Sequence, residues 1–464
     1  MSVTVHYVDD SFVLHARTLR CKAFYAERHT AVAIKTALIE CLESYQILDP
    51  AKCFVVSDDG SYNMSAENGV RSSYYGWGPC LDHKLASVLS TVLSKTTETV
   101  NGVQSLPFYR NYDCAKDLFD LIDDCKALVA YFKQAKLQCK LTKSLKQENA
   151  TSWNSLLTCL NSVLESYDEV ATTLFERKQL QKIGRINKQN LADLVEFMEP
   201  FRIATLRLEV FKSPTIHTVV YERHVLLQHL AVRQSDSDDI AAIKMLLLDQ
   251  TQDAKWTLEP MVIVGALLDP GLQKRLAKFG VTLAQEQAAI KQLRAMMIVI
   301  GKSQADRAEY EDERPAKRPR SSRTVDPFQA ASSSRYSSSS ESDEDEDRGA
   351  QAHDAALSLE DEVDRELAAY RQIKLSKAEK KLLDTSDGIL TWWRMRGTSV
   401  HATIAAQLPI MARVARSVLC IPASSSIAEC NLSAVSNTFC KRRTMLSPSA
   451  LDNFMVIQSN PDLY

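Results

Sequence analysis

The sequence predicts an α/β protein in which strand-forming segments are followed by a long helical block. Three observations carry this prediction: two early segments alternate between apolar and polar residues, a short apolar run ends in acidic residues, and helical periodicity extends through most of residues 82–300. Alternation with a period of two is typical of strands, and apolar residues at i, i+3 and i+4 are typical of amphipathic helices. The 464 residues are sufficient for several domains.

The first elements can be assigned in chain order. Residues 2–8 and 12–20 alternate in polarity around an acidic turn, so they predict a β-hairpin. Residues 30–45 have helical spacing, and the apolar run 53–57 predicts a further strand that ends at Asp58. This order, strand–strand–helix–strand, indicates an α/β unit.

Residues 302–357 differ from the rest of the chain, since they contain a basic cluster, a serine-rich run and an acidic run. A segment with so few apolar groups is predicted to be disordered. Lys317, Arg318 and Arg320 in the basic cluster predict a nuclear-import signal, with a solvated linker as the alternative. The predicted organisation is an α/β part at 1–145, an all-α domain at 146–301, the disordered linker at 302–357 and a helical C-terminal region at 358–464.

Composition narrows the classes of function. The 56 Lys and Arg residues against 58 Asp and Glu give a net charge of −2, so contact with DNA would require local patches. The 11 cysteines are scattered without a C-x-x-C pair, which predicts reduced thiols in a nuclear or cytosolic protein. No apolar run is long enough to span a bilayer, so no membrane partner is expected.

The C-terminal block contains an ordered set of motifs, namely Trp392-Trp393, Leu408-Pro409, Ile421-Pro422-Ala423, Glu429 and Asn460. This set resembles the C-terminal dimerisation region of hAT-type DNA transposases. Upstream segments are similar to motifs of the same family: the segment around Asp58, Cys80 with His83, and Trp153. The chain therefore resembles a transposase-derived protein of the BED-zinc-finger type, although it contains no Cys/His quartet with the spacing of that finger.

The resemblance implies an incomplete RNase H-like core, without its first strand, that is interrupted by an all-α insertion domain and followed by a dimerisation region. It places two vestigial catalytic carboxylates at Asp58 and Glu429 and a base-stacking, DNA-binding tryptophan at Trp153. For Trp153, taken as a single residue, packing in the helical core is the favoured interpretation. The dimer contacts would be Trp392, Trp393, Leu408, Pro409, Ile410, Val414, Leu419, Ile421 and Pro422. The alternative for these residues is intramolecular packing.

The family's first catalytic aspartate would lie on a strand before Val3, and the sequence begins after it. Because only two of the family's three carboxylates are present, we expect no bound metal. Mg²⁺ is expected only if the missing aspartate is supplied. The missing strand would also leave two interior edges unpaired, unless the hairpin moves across to close the gap. Cys80 and His83 have the spacing of half a zinc site, but no second pair of ligands is apparent, so structural packing is the favoured interpretation.

The predicted function is that of a transposase-derived nuclear protein without catalytic activity. Its expected partner is a second copy of itself, in a homodimer or higher oligomer, with association with DNA left open and no small-molecule substrate. One alternative is a truncated copy of an active hAT-type transposase, a metal-dependent enzyme that cleaves and transfers DNA strands. A second alternative is a DNA-binding regulator without sequence preference. It would use basic patches such as that of Lys178, Lys182, Arg185 and Lys188.

Overall fold

The computed structural model of the protein describes residues 1–22, 30–47, 53–58, 76–100, 103–149, 153–251, 256–312, 358–397, 407–438 and 447–463. Within these ranges the chain is mostly helical, and its strands form three separate two-stranded sheets. Helices therefore dominate more than the predicted α/β class suggests. None of the described helices has both the length and the apolar composition needed to cross a membrane.

The chain starts with the predicted β-hairpin, which is confirmed. β1 (Ser2–Val8) pairs antiparallel with β2 (Leu14–Cys21). Asp9 closes the turn, because its Oδ1 accepts hydrogen bonds from the backbone N–H groups of Ser11 and Val13, both at 2.9 Å. Aspartate favours such turns since its short side chain can bond to the backbone just beyond it.

One helix, α1 (Ala31–Ser44), covers two small sheets. β3 (Phe54–Ser57) pairs in parallel with β4 (Gly76–Pro79), and one apolar cluster under α1 joins Val3 of the hairpin to Val55 of β3. Among the described strands, β1 pairs only with β2 and β3 only with β4. The predicted order strand–strand–helix–strand is confirmed. The single RNase H-like sheet is not formed by these strands, and the hairpin has not moved across to close the gap.

The remaining elements follow in chain order. A short hairpin of β5 (Thr99–Val100) and β6 (Val103–Gln104) lies within the helical block. The helices are α2 (Leu81–Leu93), α3 (Lys116–Gln134), α4 (Trp153–Glu165), α5 (Tyr167–Glu176), α6 (Lys188–Leu208), α7 (Val219–His229), α8 (Asp238–Gln250), α9 (Pro260–Leu267), α10 (Leu283–Asp312), α11 (Leu359–Gln372), α12 (Lys377–Leu383), α13 (Gly388–Gly397), α14 (Pro409–Leu419), α15 (Ser426–Thr438) and α16 (Pro448–Ser459). α10 thus continues past the predicted domain boundary at residue 301.

One apolar cluster joins the β1–β2 hairpin, the helical block and the C-terminal helices. Trp392 and Trp393 of α13 belong to it: they are 1% and 0% exposed, and their rings meet edge to face with centroids 5.0 Å apart. Nε1 of Trp393 donates a hydrogen bond to the carbonyl oxygen of Leu268, 2.9 Å away, directly after α9. α13 is therefore held against the helical block.

α14 passes through this core and contacts β1, α9, α10, α11 and α13. The buried carboxylate of Glu366 on α11 accepts hydrogen bonds from the backbone N–H groups of Ile410, at 3.1 Å, and Met411, at 2.9 Å. A carboxylate at this position satisfies N–H groups that a helix leaves unpaired and interacts favourably with the helix dipole. Glu366 therefore ties α11 to the beginning of α14.

Candidate functional site

Asp58 and Glu429, which the resemblance marked as vestigial catalytic residues, lie side by side. Asp58 follows β3 directly, and Glu429 lies in the first turn of α15. Between them the hydroxyl oxygen of Ser425 is 3.2 Å from Asp58 Oδ1 and 3.2 Å from Glu429 Oε1. A serine hydroxyl has one proton, so it cannot donate a full hydrogen bond to both carboxylates at once. The two carboxylates therefore converge on one side chain.

His83 completes this group. It lies in the first turn of α2, and its ligating nitrogen and one oxygen each of Asp58 and Glu429 all lie within 4.8 Å of one another. All three side chains are exposed. Since β3, α2 and α15 each supply one member, the group exists only when these distant parts of the chain are folded together.

Cys80 holds this arrangement rather than joining it. The thiol is fully buried, and its sulfur accepts hydrogen bonds from the backbone N–H groups of His83, at 3.4 Å, and Ser425, at 3.3 Å. Burial also raises the pKa of the thiol, which disfavours the thiolate form that binds metals. This burial agrees with structural packing, the interpretation of Cys80 that the sequence favours. Its sulfur caps α2 and links that helix to the segment before α15.

Two further carboxylates lie behind the exposed group. Asp82 of α2 is 9% exposed and its Oδ1 makes no hydrogen bond within the described part of the chain; burial raises its pKa to about 6. Glu209, directly after α6, has a pKa of about 7 because of burial and the nearby carboxylates of Asp82 and Glu429. In the ranges that the structure describes, Asp82, Glu209 and Glu429 form no ion pair with lysine or arginine. The surroundings are strongly acidic.

The residues predicted to form the dimer contact lie mostly inside the chain. Two prolines are half-buried, and the other side chains have at most 6% exposure: Trp392, Trp393, Leu408, Ile410, Val414, Leu419 and Ile421. Pro409 occupies the first turn of α14, where its fixed φ favours the helix, and Pro422 follows that helix. The prediction that these side chains contact a second copy is corrected, because they form the intramolecular core.

Trp153 is also buried. It begins α4, is 9% exposed and belongs to the central apolar cluster. This burial agrees with the interpretation of Trp153 as part of the helical core, and not with the stacking on a DNA base that the resemblance implies.

Three basic residues at or just before the start of α6 have partners, and Arg185 is one of them, 3.9 Å from Asp124. Lys188 pairs with Asp168 at 3.0 Å, and the ammonium group of Lys182 lies 4.5 Å from the centre of the Tyr131 ring. This arrangement fits a solvated surface better than a phosphate-binding patch. The predicted import signal at Lys317, Arg318 and Arg320 lies outside the described residues.

A second candidate surface is the outer face of α16. Leu451 and Met455 face inward and pack with Cys21 of β2. On a neighbouring, exposed face of the same helix, Phe454 and Ile457 are 46% and 47% exposed and lie about one turn apart. Large apolar groups that stay in water on one helix face favour contact with another apolar surface.

Comparison with known proteins adds two findings. Residues 374–461 match the hAT family C-terminal dimerisation region. Zinc finger protein 618 of Homo sapiens is 22% identical over 389 residues, covering 82% of this chain and 33% of that protein; zinc finger protein 618 of Mus musculus gives the same values. The chain therefore spans about a third of the length of these relatives. The helices from α12 to α16 lie within the residues that match this dimerisation region.

Proposed function

We propose that this chain is a transposase-derived nuclear protein that associates with itself through its C-terminal region and does not cleave DNA. The observation that carries self-association is the match of residues 374–461 to a dimerisation region. The resemblance of Asp58, Glu429 and the C-terminal motifs to hAT transposases supports the proposed origin. The proposed occupant of the exposed α16 face is a second copy of this chain.

The exposed side chains of Phe454 and Ile457 support this choice of surface. Both lie within the matched region, whereas the tryptophan pair in the same region is buried. Aromatic and large aliphatic side chains contribute most of the binding energy at protein interfaces. In a two-fold symmetric dimer both copies use the same face, so each contact between two apolar side chains occurs twice in the interface.

Light scattering on the full chain tests self-association. We expect a mass of twice the chain for the native sequence and a single-chain mass for the double variant Phe454→Asp/Ile457→Asp, since two buried charges would be unpaired at the contact. Met245→Asp is the matched control, because Met245 is a 63% exposed apolar side chain on α8, outside the matched region. A native monomer, or a double variant that remains dimeric, would contradict this part of the proposal.

The lack of DNA cleavage is supported by the composition of the site. By resemblance, the family uses three carboxylates to hold two Mg²⁺ ions, and here Asp58 and Glu429 converge with the imidazole of His83. We expect supercoiled plasmid DNA to stay intact when incubated with the chain and Mg²⁺. Nicking that disappears in Asp58→Asn would instead support the alternative of an active transposase.

Nuclear localisation is proposed from the basic cluster in the sequence. A fluorescent fusion of the full chain is expected to accumulate in the nucleus, and replacement of Lys317, Arg318 and Arg320 by alanine is expected to redistribute it. The matched control is alanine at Lys178, Lys182 and Lys188, which removes equal charge elsewhere. Equal distribution of both triple variants would contradict a role for the cluster.

A further inference from the structure

The group of Asp58, His83 and Glu429 has the composition of a metal site that differs from the one the family resemblance implies. A pair of Mg²⁺ ions requires hard oxygen ligands, preferably carboxylates that bridge the two ions. Here one of the three converging groups is an imidazole. The side chains present therefore do not fit a magnesium pair.

We propose that Asp58, His83 and Glu429 bind a single divalent transition-metal ion of the Zn²⁺ or Mn²⁺ class. Two carboxylates and one imidazole form a mixed ligand set that suits such ions, with water in the remaining positions. This proposal replaces the expectation from the sequence that no metal is bound. It does not depend on self-association, because all three ligands come from one chain.

The geometry agrees with one ion. Metal–ligand bonds of about 2.0–2.2 Å place neighbouring ligand atoms roughly 3–4 Å apart. The three candidate ligand atoms already lie within 4.8 Å of one another, so small side-chain rotations would bring them to coordination distance. Ser425 contacts both carboxylates at 3.2 Å, which orients them toward the same point.

A second observation points to a bound cation. Asp82 lies beside His83 on α2 and is nine-tenths buried, yet its Oδ1 has no hydrogen-bond partner among the described residues. Asp82 directly precedes the proposed ligand His83 in the first turn of α2, so its carboxylate belongs to the same end of that helix. Water bound to a metal ion is a strong hydrogen-bond donor and would satisfy this oxygen. A cation would also offset the charge of Glu429, which pairs with no lysine or arginine in the described part of the chain.

The test uses Co²⁺ as a spectroscopic substitute for Zn²⁺. Titration of the full chain is expected to show one equivalent of bound Co²⁺, with d–d absorption and no thiolate-to-cobalt charge-transfer band, because no cysteine is among the ligands. In calorimetry, Mn²⁺ is expected to bind more tightly than Mg²⁺. Binding to the folded state should also raise the melting temperature.

Variants assign the site to its residues. His83→Ala is expected to weaken Co²⁺ binding by about tenfold or more, since loss of a ligand costs at least as much as loss of its hydrogen-bond partner. Asp58→Asn should have a similar effect. His224→Ala is the matched control, because this imidazole belongs to α7, packs against the Phe279 ring and is not one of the proposed ligands. Circular dichroism of each variant checks that it is folded.

Three results would overturn the proposal. The first is the absence of Co²⁺ binding to the native chain, and the second is a thiolate band that persists when His83 is replaced. The third is binding of Mg²⁺ as tight as that of Mn²⁺ and unchanged in His83→Ala, which would indicate a carboxylate-only site.

Discussion

At the scale of single residues, Trp393 connects the C-terminal region to the helical block. Its ring is fully buried beside Trp392 and Tyr370, and its indole N–H bonds to the Leu268 carbonyl oxygen. We expect Trp393→Ala to lower the free energy of unfolding by about 3–5 kcal/mol, because a large cavity remains. The loss should be the same at low and high protein concentration, as measured by urea unfolding.

A dimer contact would behave differently. If Trp393 packed against a second copy, the loss in Trp393→Ala would grow with protein concentration, since native association contributes more at high concentration. Trp393→Phe keeps an aromatic ring and serves as the control, with an expected smaller loss.

The burial of His217 makes the stability of the folded chain depend on pH. Burial lowers its pKa to about 4, and its Nδ1 has no hydrogen-bond partner among the described residues. The unfolded chain binds the proton near the ordinary pKa of about 6.5, so between these values the unfolded state holds more protons. The contribution to stability is therefore complete above about pH 6.5 and is lost as the pH falls toward 4.

Unfolding in urea at pH 7 and pH 4.5 measures this effect. Between pH 7 and pH 4.5 we expect the free energy of unfolding to fall by about 2 kcal/mol more in the native chain than in His217→Gln, because glutamine does not titrate. Equal losses in both proteins would show that the imidazole is not kept neutral by the fold.

Only part of the candidate site can be predicted from the sequence. Asp58 and Glu429 were identified by family resemblance, because each lies in a motif that can be matched locally. The role of His83 beside them was missed. The Cys-x-x-His spacing pairs His83 with Cys80, and only the folded chain shows that Cys80 is buried as a helix cap while His83 lies near both carboxylates.

At the scale of elements, Asn460 joins the last helix to the hairpin. Its Oδ1 accepts from the Thr18 backbone N–H at 3.1 Å, and its Nδ2 donates to the Thr18 carbonyl oxygen at 2.9 Å. The side-chain amide therefore satisfies both backbone hydrogen-bonding groups of Thr18 at a buried position, as a residue on a paired strand would. This explains the terminal asparagine in the C-terminal motif set. We expect Asn460→Ala to cost about 1–3 kcal/mol in thermal or urea unfolding, because both groups of Thr18 lose their partners.

Asn460→Asp separates the two bonds. The aspartate keeps the acceptor for the Thr18 N–H but places a second acceptor opposite the Thr18 carbonyl oxygen, so we expect a loss at least as large as in the alanine variant. Ser459→Ala, which removes a neighbouring bond to Asn431, is the control. If Asn460→Ala left the free energy of unfolding unchanged, the attachment of α16 to β2 would not depend on this contact.

Strands differ in how far local sequence predicts them. The first hairpin was predicted because alternation and an aspartate turn are local signals. β4 was not predicted, since its sequence Gly-Trp-Gly-Pro has no alternation. Gly76 is needed there because a Cβ atom would lie 2.7 Å from the Phe54 ring of β3, a tertiary constraint that the local pattern does not contain.

At the scale of the whole molecule, the C-terminal region has two faces with separate roles. The inner face carries the tryptophan pair and α14 and belongs to the core shared with the helical block. The outer face carries Phe454 and Ile457 and is the proposed contact with a second copy. Family resemblance located the region, but which side chains face inward depends on helices far away in sequence, such as α9 and α11.

Hydrogen–deuterium exchange at two protein concentrations separates these faces in the unmodified chain. At the concentration where light scattering shows the dimer, we predict slower exchange in peptides from α16, compared with a dilute sample. Peptides from α13, which contain Trp392 and Trp393, should exchange slowly and equally in both samples. Concentration-dependent protection of α13 without any change in α16 would contradict the assignment of the tryptophan pair to the core and of α16 to the interface.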